Sequence, residues 1–354
     1  FVPVLAASRA QHGEEATKEV IDNVATALAW SVLVLSVLGV LASPWLVWAL
    51  ASGLQQDARG YGAAVNMTRW MFPYIACMSF VALAGGVLNT WRRFVVSSAT
   101  PVLLNVAMIS AAWLLAPWFK TKGIEPIYAM GVGVMAGGVL QLAIQVPALA
   151  HLGLLPRVGF LPGAIKAAVQ NPDARRVMKL MGPAVFAVSV AQISLIINTN
   201  IASRLQTGSV SWLSYADRLM EFPTALLGVA LGTVLLPSLS KANAKNDLVH
   251  AGELLIWGLQ LTFLLAAPCA IALFIFGEPL AAVLYHYGKF NALDVLMTQR
   301  ALAAYGVGLI GLILVKILAP GFYSRQDIRT PVKIGLLVLV ATQLANLVFV
   351  PWLG

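Results

Sequence analysis

Long apolar runs separated by short polar segments make up most of the chain. Each run approaches or exceeds the roughly 20 residues that an α-helix needs to cross about 30 Å of hydrocarbon. Because lipid offers the backbone no hydrogen bonds, such uniformly apolar runs predict membrane-spanning helices rather than barrel strands. Nine spans are predicted, at residues 25–51, 70–91, 94–119, 126–155, 180–203, 222–240, 254–277, 301–323 and 334–354.

The composition agrees with this pattern. Of the 354 residues, 60% are hydrophobic and 10% are charged, and the mean hydropathy is +0.84. A soluble domain would have about 25% charged residues. The prediction is an all-α, polytopic integral membrane protein. Its two cysteines lie inside predicted spans and its four histidines lack the spacing of metal ligands, so no disulfide, metal or cofactor is expected.

The distribution of Lys and Arg predicts the orientation. Assigning alternate loops to one side of the membrane places fifteen of the 23 basic residues together and leaves eight on the other side. By the positive-inside rule, the N-terminus of the chain is expected in the cytoplasm. The net charge of +9 is then a matter of topology and of attraction to anionic lipid, and no nucleic acid partner is expected.

The chain also repeats itself. Pro3 corresponds to Pro237 and Tyr74 to Tyr305, and the offset stays between 230 and 235 residues. Six spans lie between the two copies, and an even number predicts parallel repeats. We therefore expect two parallel six-helix lobes: an N-terminal lobe at residues 1–155, a cytoplasmic linker at 156–174 and a C-terminal lobe at 175–354. Helices without a counterpart in the other copy predict a longer transporter, with about 60 residues upstream.

Three charged residues interrupt the apolar pattern in the stretch SYADRLMEFP, at Asp217, Arg218 and Glu221. At about 100° per residue, one helix face carries these charges together with Ser214 and Thr224, and glycines continue it. The charges lie either at the periplasmic headgroups or on a face lining a water-filled cavity between the lobes. Lipid exposure is excluded, because an ionised side chain at the centre of a span costs about 2.5 to 3.5 kcal/mol.

The small and polar residues on this face favour the cavity. Arg218 can pair with Glu221 three residues later and still accept another anion, since a guanidinium recognises phosphate through two parallel hydrogen bonds. Two other basic residues are expected at the membrane surfaces, Arg300 at a span end and Lys316 by extending its side chain toward the cytoplasm.

Longer motifs carry a resemblance to a known family. They are SVSWLSYADRLMEFPTALLGVALGTVLLPSLS, YGKFNALDVLMTQRALAAYGVGLIGLILVKILAPGFYSRQDIRTPVKI, FPYI with LNTWRRF, and VAQISLIINT. Over essentially the whole chain, they resemble the MurJ (MviN) lipid II flippases of the MOP exporter superfamily. The resemblance implies a transporter, not an enzyme, in the bacterial cytoplasmic (inner) membrane. Its partners would be membrane lipids and lipid II, the undecaprenyl-diphosphate-linked muropeptide, which it would move to the periplasmic leaflet by alternating access.

The resemblance also implies roles for particular residues. It places Asp217, Arg218 and Glu221 in a central cavity, with Arg218 as the contact to the diphosphate; Ser214 and Thr224 complete the expected substrate-binding set. Other cavity arginines of the family belong to two earlier helices, so the chain alone is not expected to transport. Some members bind sodium through acidic residues in two helices; the matching segments 180–203 and 334–354 contain none, with Asn346 as the remnant. This favours coupling to the membrane potential.

Three alternatives stay open. Another exporter of the same superfamily, for a different lipid-linked oligosaccharide or for drugs, would share the helices but not the long motifs. A membrane enzyme acting on prenyl diphosphates would need clustered carboxylates to hold Mg²⁺, and only Asp217 and Glu221 pair near a span. A structural subunit of the cell-wall machinery would not need a polar helix face.

Overall fold

The regular elements of the chain are all helices. The computed structural model describes residues 2–159, 161–245, 247–325, 327 and 329–353, and no strand occurs among them. The chain divides into two compact units, Phe1–Phe186 and Ala187–Gly354, whose boundary falls inside a helix. The predicted all-α fold is confirmed, whereas the predicted lobe and linker boundaries stay a prediction.

Among the described residues, seven helices and the start of an eighth form the first unit. They are α1 (Val2–Ala51), α2 (Ala58–Met71), α3 (Tyr74–Thr90), α4 (Phe94–Ser110), α5 (Ala116–Thr121), α6 (Tyr128–His151), α7 (Pro162–Gln170) and α8 (Pro172–Arg204), which continues into the second unit.

Single residues bend several of these helices. Gly13 interrupts α1 with φ 82° and ψ −173°, a conformation that only glycine adopts without strain. Pro73 divides the predicted span at residues 70–91 into α2 and α3, because proline lacks the N–H that a continuous helix needs. A wide π-helical turn at Ala111–Leu115 joins α4 to α5. The spans are therefore bent rather than straight.

The segment before α7 is bonded to α1. The backbone N–H of Arg157 donates to Asp22 Oδ1 at 2.8 Å, and that of Gly159 donates to Thr26 Oγ1 at 3.0 Å. Trp30 Nε1 donates to the carbonyl of Gly159 at 3.1 Å. These long-range bonds satisfy polar groups of an irregular segment and fix it against a helix.

In the described part of the second unit there are six further helices, together with the end of α8. They are α9 (Ser209–Pro223), α10 (Ala230–Ala244), α11 (Leu248–Ile275), α12 (Gly277–Tyr285), α13 (Ala292–Tyr323) and α14 (Arg329–Leu353). A wide π-helical turn at Thr224–Val229 joins α9 to α10.

The core of the second unit is formed where α13 packs against α11. Leu302, Leu309 and Ile313 are completely buried there. Gly306 lies between them on α13, and a Cβ added to it would come within 2.9 Å of the carbonyl oxygen of Ala270 on α11. The two backbones therefore approach more closely than any side chain at this position would allow, as is common for small residues between membrane helices.

A capping box begins α13 and is connected to α9. The side chain of Asn291 accepts from the N–H of Asp294, whose carboxylate accepts from the N–H of Asn291. The indole Nε1 of the buried Trp212 donates to the same carboxylate at 2.8 Å. The start of α13 is thus fixed both by its own cap and by a side chain of α9.

We expect Trp212→Phe to lower the free energy of unfolding by about 1.5 to 3 kcal/mol, the range for a hydrogen bond to a charged group. The ring remains buried in this variant, so the loss reports on the bond to Asp294. Thermal unfolding in detergent measures the effect. Trp257→Phe, at an exposed tryptophan of α11, is the matched control; equal losses in both variants would contradict the assignment.

Eight candidate membrane spans occur in the described part of the chain, by length and apolar composition. They are Gly13–Gln56, Ala58–Thr90, Phe94–Thr121, Tyr128–His151, Ser209–Asn243, Leu248–Ile275, Ala292–Tyr323 and Arg329–Trp352. Each contains one of the predicted spans or most of it, so the polytopic prediction is confirmed. The ninth, at residues 180–203, falls on α8, and several of its side chains lie outside the described residues.

Candidate functional site: the charged end of helix α9

Arg218 and Glu221 form an exposed ion pair near the end of α9. Arg218 Nη1 lies 3.2 Å from Glu221 Oε2, and the side chains are 77% and 66% exposed. The predicted pairing at a spacing of three residues is therefore present. An exposed pair of this kind contributes only about 0 to 1 kcal/mol, so the guanidinium can exchange its partner for another anion at little cost.

Asp217 faces a neighbouring helix. It is half-buried, and its carboxylate interacts with the side chain of Tyr305 on α13. The like-charged Asp217 and Glu221 thus differ in surroundings, although they lie one turn apart on α9. Of the three predicted charges, the structure leaves Arg218 and Glu221 open and holds Asp217 against α13.

The two hydroxyl residues of the predicted site also differ. Ser214 is exposed and its Oγ donates to the carbonyl of Val210 at 2.8 Å. Thr224 is only 8% exposed, and its Oγ1 donates to the carbonyl of Met220 at 2.8 Å. Ser214 therefore shares the open side of the helix with Arg218, whereas Thr224 is buried.

The continuous polar face expected from a regular helix does not extend beyond Pro223. The wide turn at Thr224–Val229 replaces the regular α-helical spacing that the projection assumed. Within this turn Gly228 is buried, while Leu226, expected on the protected side, is 59% exposed.

Two glycines, Gly228 in the wide turn and Gly232 in α10, allow this segment to approach α13. A Cβ added to Gly228 would lie 2.7 Å from Lys316 Cδ, and one added to Gly232 would lie 3.2 Å from the carbonyl oxygen of Lys316. The sequence interpretation placed these glycines on an open cavity face. They serve close helix packing instead, with Lys316 lying over them.

An aromatic cluster adjoins the charged end of α9. The ring of Tyr215 lies 4.6 Å from that of Tyr285 and 5.1 Å, edge-on, from that of Phe290. Burial raises the pKa of Tyr285, and the nearby charge of Arg218 acts in the opposite direction. Tyr285 thus presents a hydroxyl group near Arg218. Sequence reasoning missed this residue; the aromatic pattern around it was the available signal.

Arg300 lies apart from this group. It lines a cavity of about 350 Å³ near the start of α13 together with Gln206, Ser209 and Met297. Its Nη1 lies 4.0 Å from the sulfur of Met297. Arg300 is therefore an exposed arginine of the same unit in a different environment from Arg218.

Amide side chains connect α8 and α14. Asn346 Nδ2 donates to Asn198 Oδ1 at 3.0 Å and to Gln343 Oε1 at 3.3 Å. Asn346 and Gln343 line a cavity of about 370 Å³ whose other walls are apolar residues of the same two helices. Among the described residues, no three His, Cys, Asp or Glu side chains are grouped as metal ligands.

We expect cysteines introduced at Ser214 and Thr224 to react differently with a membrane-impermeant maleimide. Ser214→Cys is expected to react readily from the aqueous side and Thr224→Cys to be protected, because only the first side chain is exposed. Both are made with Cys77 and Cys269 replaced by alanine, and labelling is followed by mass shift. Equal labelling at the two positions would contradict the described geometry.

Comparison with known proteins assigns the chain to a family. Residues 1–354 match the family described as lipid II flippase MurJ. The chain belongs to the MurJ family. The resemblance seen in its motifs is thereby confirmed, and it extends over the whole chain.

Comparison with individual MurJ proteins supports the same family assignment. The lipid II flippase MurJ of Burkholderia cenocepacia is 56% identical over 354 residues, which cover 100% of this chain and 67% of that protein. The probable lipid II flippases MurJ of Haemophilus influenzae and Vibrio cholerae are 38% and 37% identical, over 99% and 100% of this chain and 69% and 67% of theirs. The chain thus spans about two thirds of the length of these relatives.

A solved structure shares the MurJ fold. It is a lipid II flippase MurJ in an inward closed conformation, with a TM-score of 0.78 and 20% identity over 98% of this chain and 70% of that one. At this identity the likeness supports the fold alone, and the chemistry of the site follows from its own residues.

Proposed function

We propose that the protein translocates lipid II, an undecaprenyl-diphosphate-linked muropeptide, from the cytoplasmic to the periplasmic leaflet of the bacterial cytoplasmic membrane. The match of all 354 residues to the MurJ family carries this proposal. It disfavours the alternative of another MOP-type exporter, because a different substrate class would not be expected to preserve the match over the whole chain. Translocation by alternating access, with the N-terminus of the chain in the cytoplasm, completes the proposal.

Arg218 is the residue we assign to the diphosphate. It is exposed within the candidate span Ser209–Asn243, where a charge in contact with lipid would cost about 2.5 to 3.5 kcal/mol. A polar surrounding avoids this penalty, and a diphosphate suits the two parallel donors of a guanidinium. Glu221 holds the guanidinium until substrate arrives, and Ser214 adds a hydroxyl on the same side.

Asp217 and Thr224 would then help to position the helix and would not contact the substrate themselves. Asp217 interacts with Tyr305 of α13, and Thr224 is buried with its hydroxyl bonded to the backbone of its own helix. Both remain members of the proposed site, with positioning roles.

Coupling to the membrane potential, not to a sodium gradient, fits the residues between α8 and α14. Residues 180–203 and 334–354 contain no Asp or Glu, and Asn346 and Asn198 bond to each other as neutral amides. Neutral amides provide little of the negative charge that a bound cation requires in a low-dielectric site.

Reconstitution tests the proposal. The protein produced from its native gene is placed in liposomes with fluorescent lipid II, and the fraction reaching the outer leaflet is measured by a membrane-impermeant quencher. We expect translocation that rises with an imposed membrane potential and is unchanged when sodium is replaced by choline. Translocation no faster than in protein-free liposomes would refute the function. Conversion of lipid II by the purified protein with Mg²⁺ would instead favour the enzyme alternative.

A further inference from the structure

Lys316 lies within a candidate membrane span, yet its side chain does not extend toward the nearer end of its helix. It is seven residues before Tyr323, at which α13 ends. The carbonyl oxygen of Lys316 adjoins Gly232, whereas its Cγ and Cδ adjoin Gly228, one turn earlier on the neighbouring segment. The side chain therefore runs back along the helix pair, away from the surface to which a lysine at this end would ordinarily extend.

The neighbouring segment runs in the same direction as α13. Asp217 contacts Tyr305 and Gly228 contacts Lys316, and both pairs are 88 residues apart (305 − 217 and 316 − 228). A constant separation means that α9 and α10 lie parallel to α13 in a fixed register. Lys316 is thus directed toward the level of Asp217 and Glu221.

The distance along the helix pair between Asp217 and Gly228, which contacts Lys316, is moderate. Eleven residues separate Asp217 from Gly228, which at 1.5 Å per residue is roughly 16 Å. The length of the lysine side chain shortens this gap. Arg218 and Lys316 are then two cations spaced along one helix pair, each within a candidate membrane span.

Space is available beside Lys316. Its side chain is exposed. None of the ion pairs within the described residues involves Lys316. An unpaired ammonium group inside a span is unfavourable in lipid, and a bound anion would relieve that penalty.

We propose that Lys316 is a second binding residue for the diphosphate of the lipid-linked substrate. It lies closer to the C-terminal end of α13 than the position of Arg218 on the parallel helix α9. This inference rests on the proposed function and adds a second anion position to the same site. With two cations at different positions along the helix pair, the negative charge of the diphosphate is balanced at each position as the substrate passes from one cation to the other.

Three variants separate charge from packing. Lys316→Met keeps a stem over Gly228 and removes the charge, Lys316→Arg keeps the charge, and Lys333→Met removes a similar charge near the start of α14. Each is produced from the native gene and tested for fluorescent lipid II translocation in liposomes, and for binding of undecaprenyl diphosphate in detergent. Thermal unfolding checks the fold of every variant.

We expect Lys316→Met to slow translocation by about tenfold or more and to weaken undecaprenyl diphosphate binding, with an unchanged melting temperature; a tenfold change corresponds to 1.4 kcal/mol. Lys316→Arg is expected to restore most of both, and Lys333→Met to behave as wild type. Normal translocation by Lys316→Met overturns the inference. If Lys316→Met is normal and Arg218→Ala is impaired in the same assay, the proposed function stands without a role for Lys316. If neither variant is impaired, the proposed diphosphate site itself fails.

Discussion

Replacing Arg218 by alanine is expected to abolish lipid II translocation. The substitution removes the exposed guanidinium of α9 and leaves Glu221 without its ion-pair partner, so an acidic group would face the incoming diphosphate. Both changes disfavour anion binding, and like charges in a low-dielectric surrounding repel strongly. Growth of a strain depleted of its own flippase, and translocation in liposomes, are the two measurements.

Matched variants make the result specific. Arg218→Lys retains the charge but not the two parallel donors, so partial activity is expected. Arg300→Ala removes an exposed arginine of the same unit that lines a different cavity, and it is expected to support growth. Normal growth and translocation with Arg218→Ala would eliminate the assigned role, whatever the other two variants do.

Replacing Gly306 by valine is expected to cause the largest loss of stability. A Cβ at this position would meet a backbone carbonyl, that of Ala270, at 2.9 Å, and a backbone atom cannot move aside as a side chain can. Overpacking of a filled core costs about 1 to 3 kcal/mol, and the separation of α11 and α13 should place this variant at the upper end. The readouts are the yield of folded protein and its melting temperature in detergent.

Gly308→Val is the matched control for this substitution. Gly308 is on the same helix, two residues later, with nothing within 4 Å of an added Cβ. Both variants place a β-branched residue in a helix, so the difference between them isolates the contact with α11. Equal melting temperatures for the two would show that α11 and α13 can separate without loss.

Those parts of the fold that depend on local pattern could be predicted from the sequence. Apolar runs predicted the spans because hydrocarbon thickness sets their length. The pair between Arg218 and Glu221 followed from helical spacing alone. Both predictions use residues that are close in the chain.

Contacts between distant residues could not be predicted in this way. The contact between Asp217 and Tyr305, and the position of Lys316 over Gly228, join residues 88 positions apart, and periodicity carries no information about such pairs. Lys316 was expected to extend toward the cytoplasm because only its distance from the helix end was known. The glycines after Pro223 were assigned to an open face because their neighbour was unknown.

The wide turn at Thr224–Val229 sets the phase between the two halves of a single span. A π-helical turn holds about one residue more than an α-helical turn, so the helix after it faces about 100° away from the direction that regular α-helical spacing would give. Arg218 lies before this turn, and Gly232, which adjoins Lys316, lies after it. The number of residues in this short segment, as much as their chemistry, therefore determines which face of α10 meets Lys316.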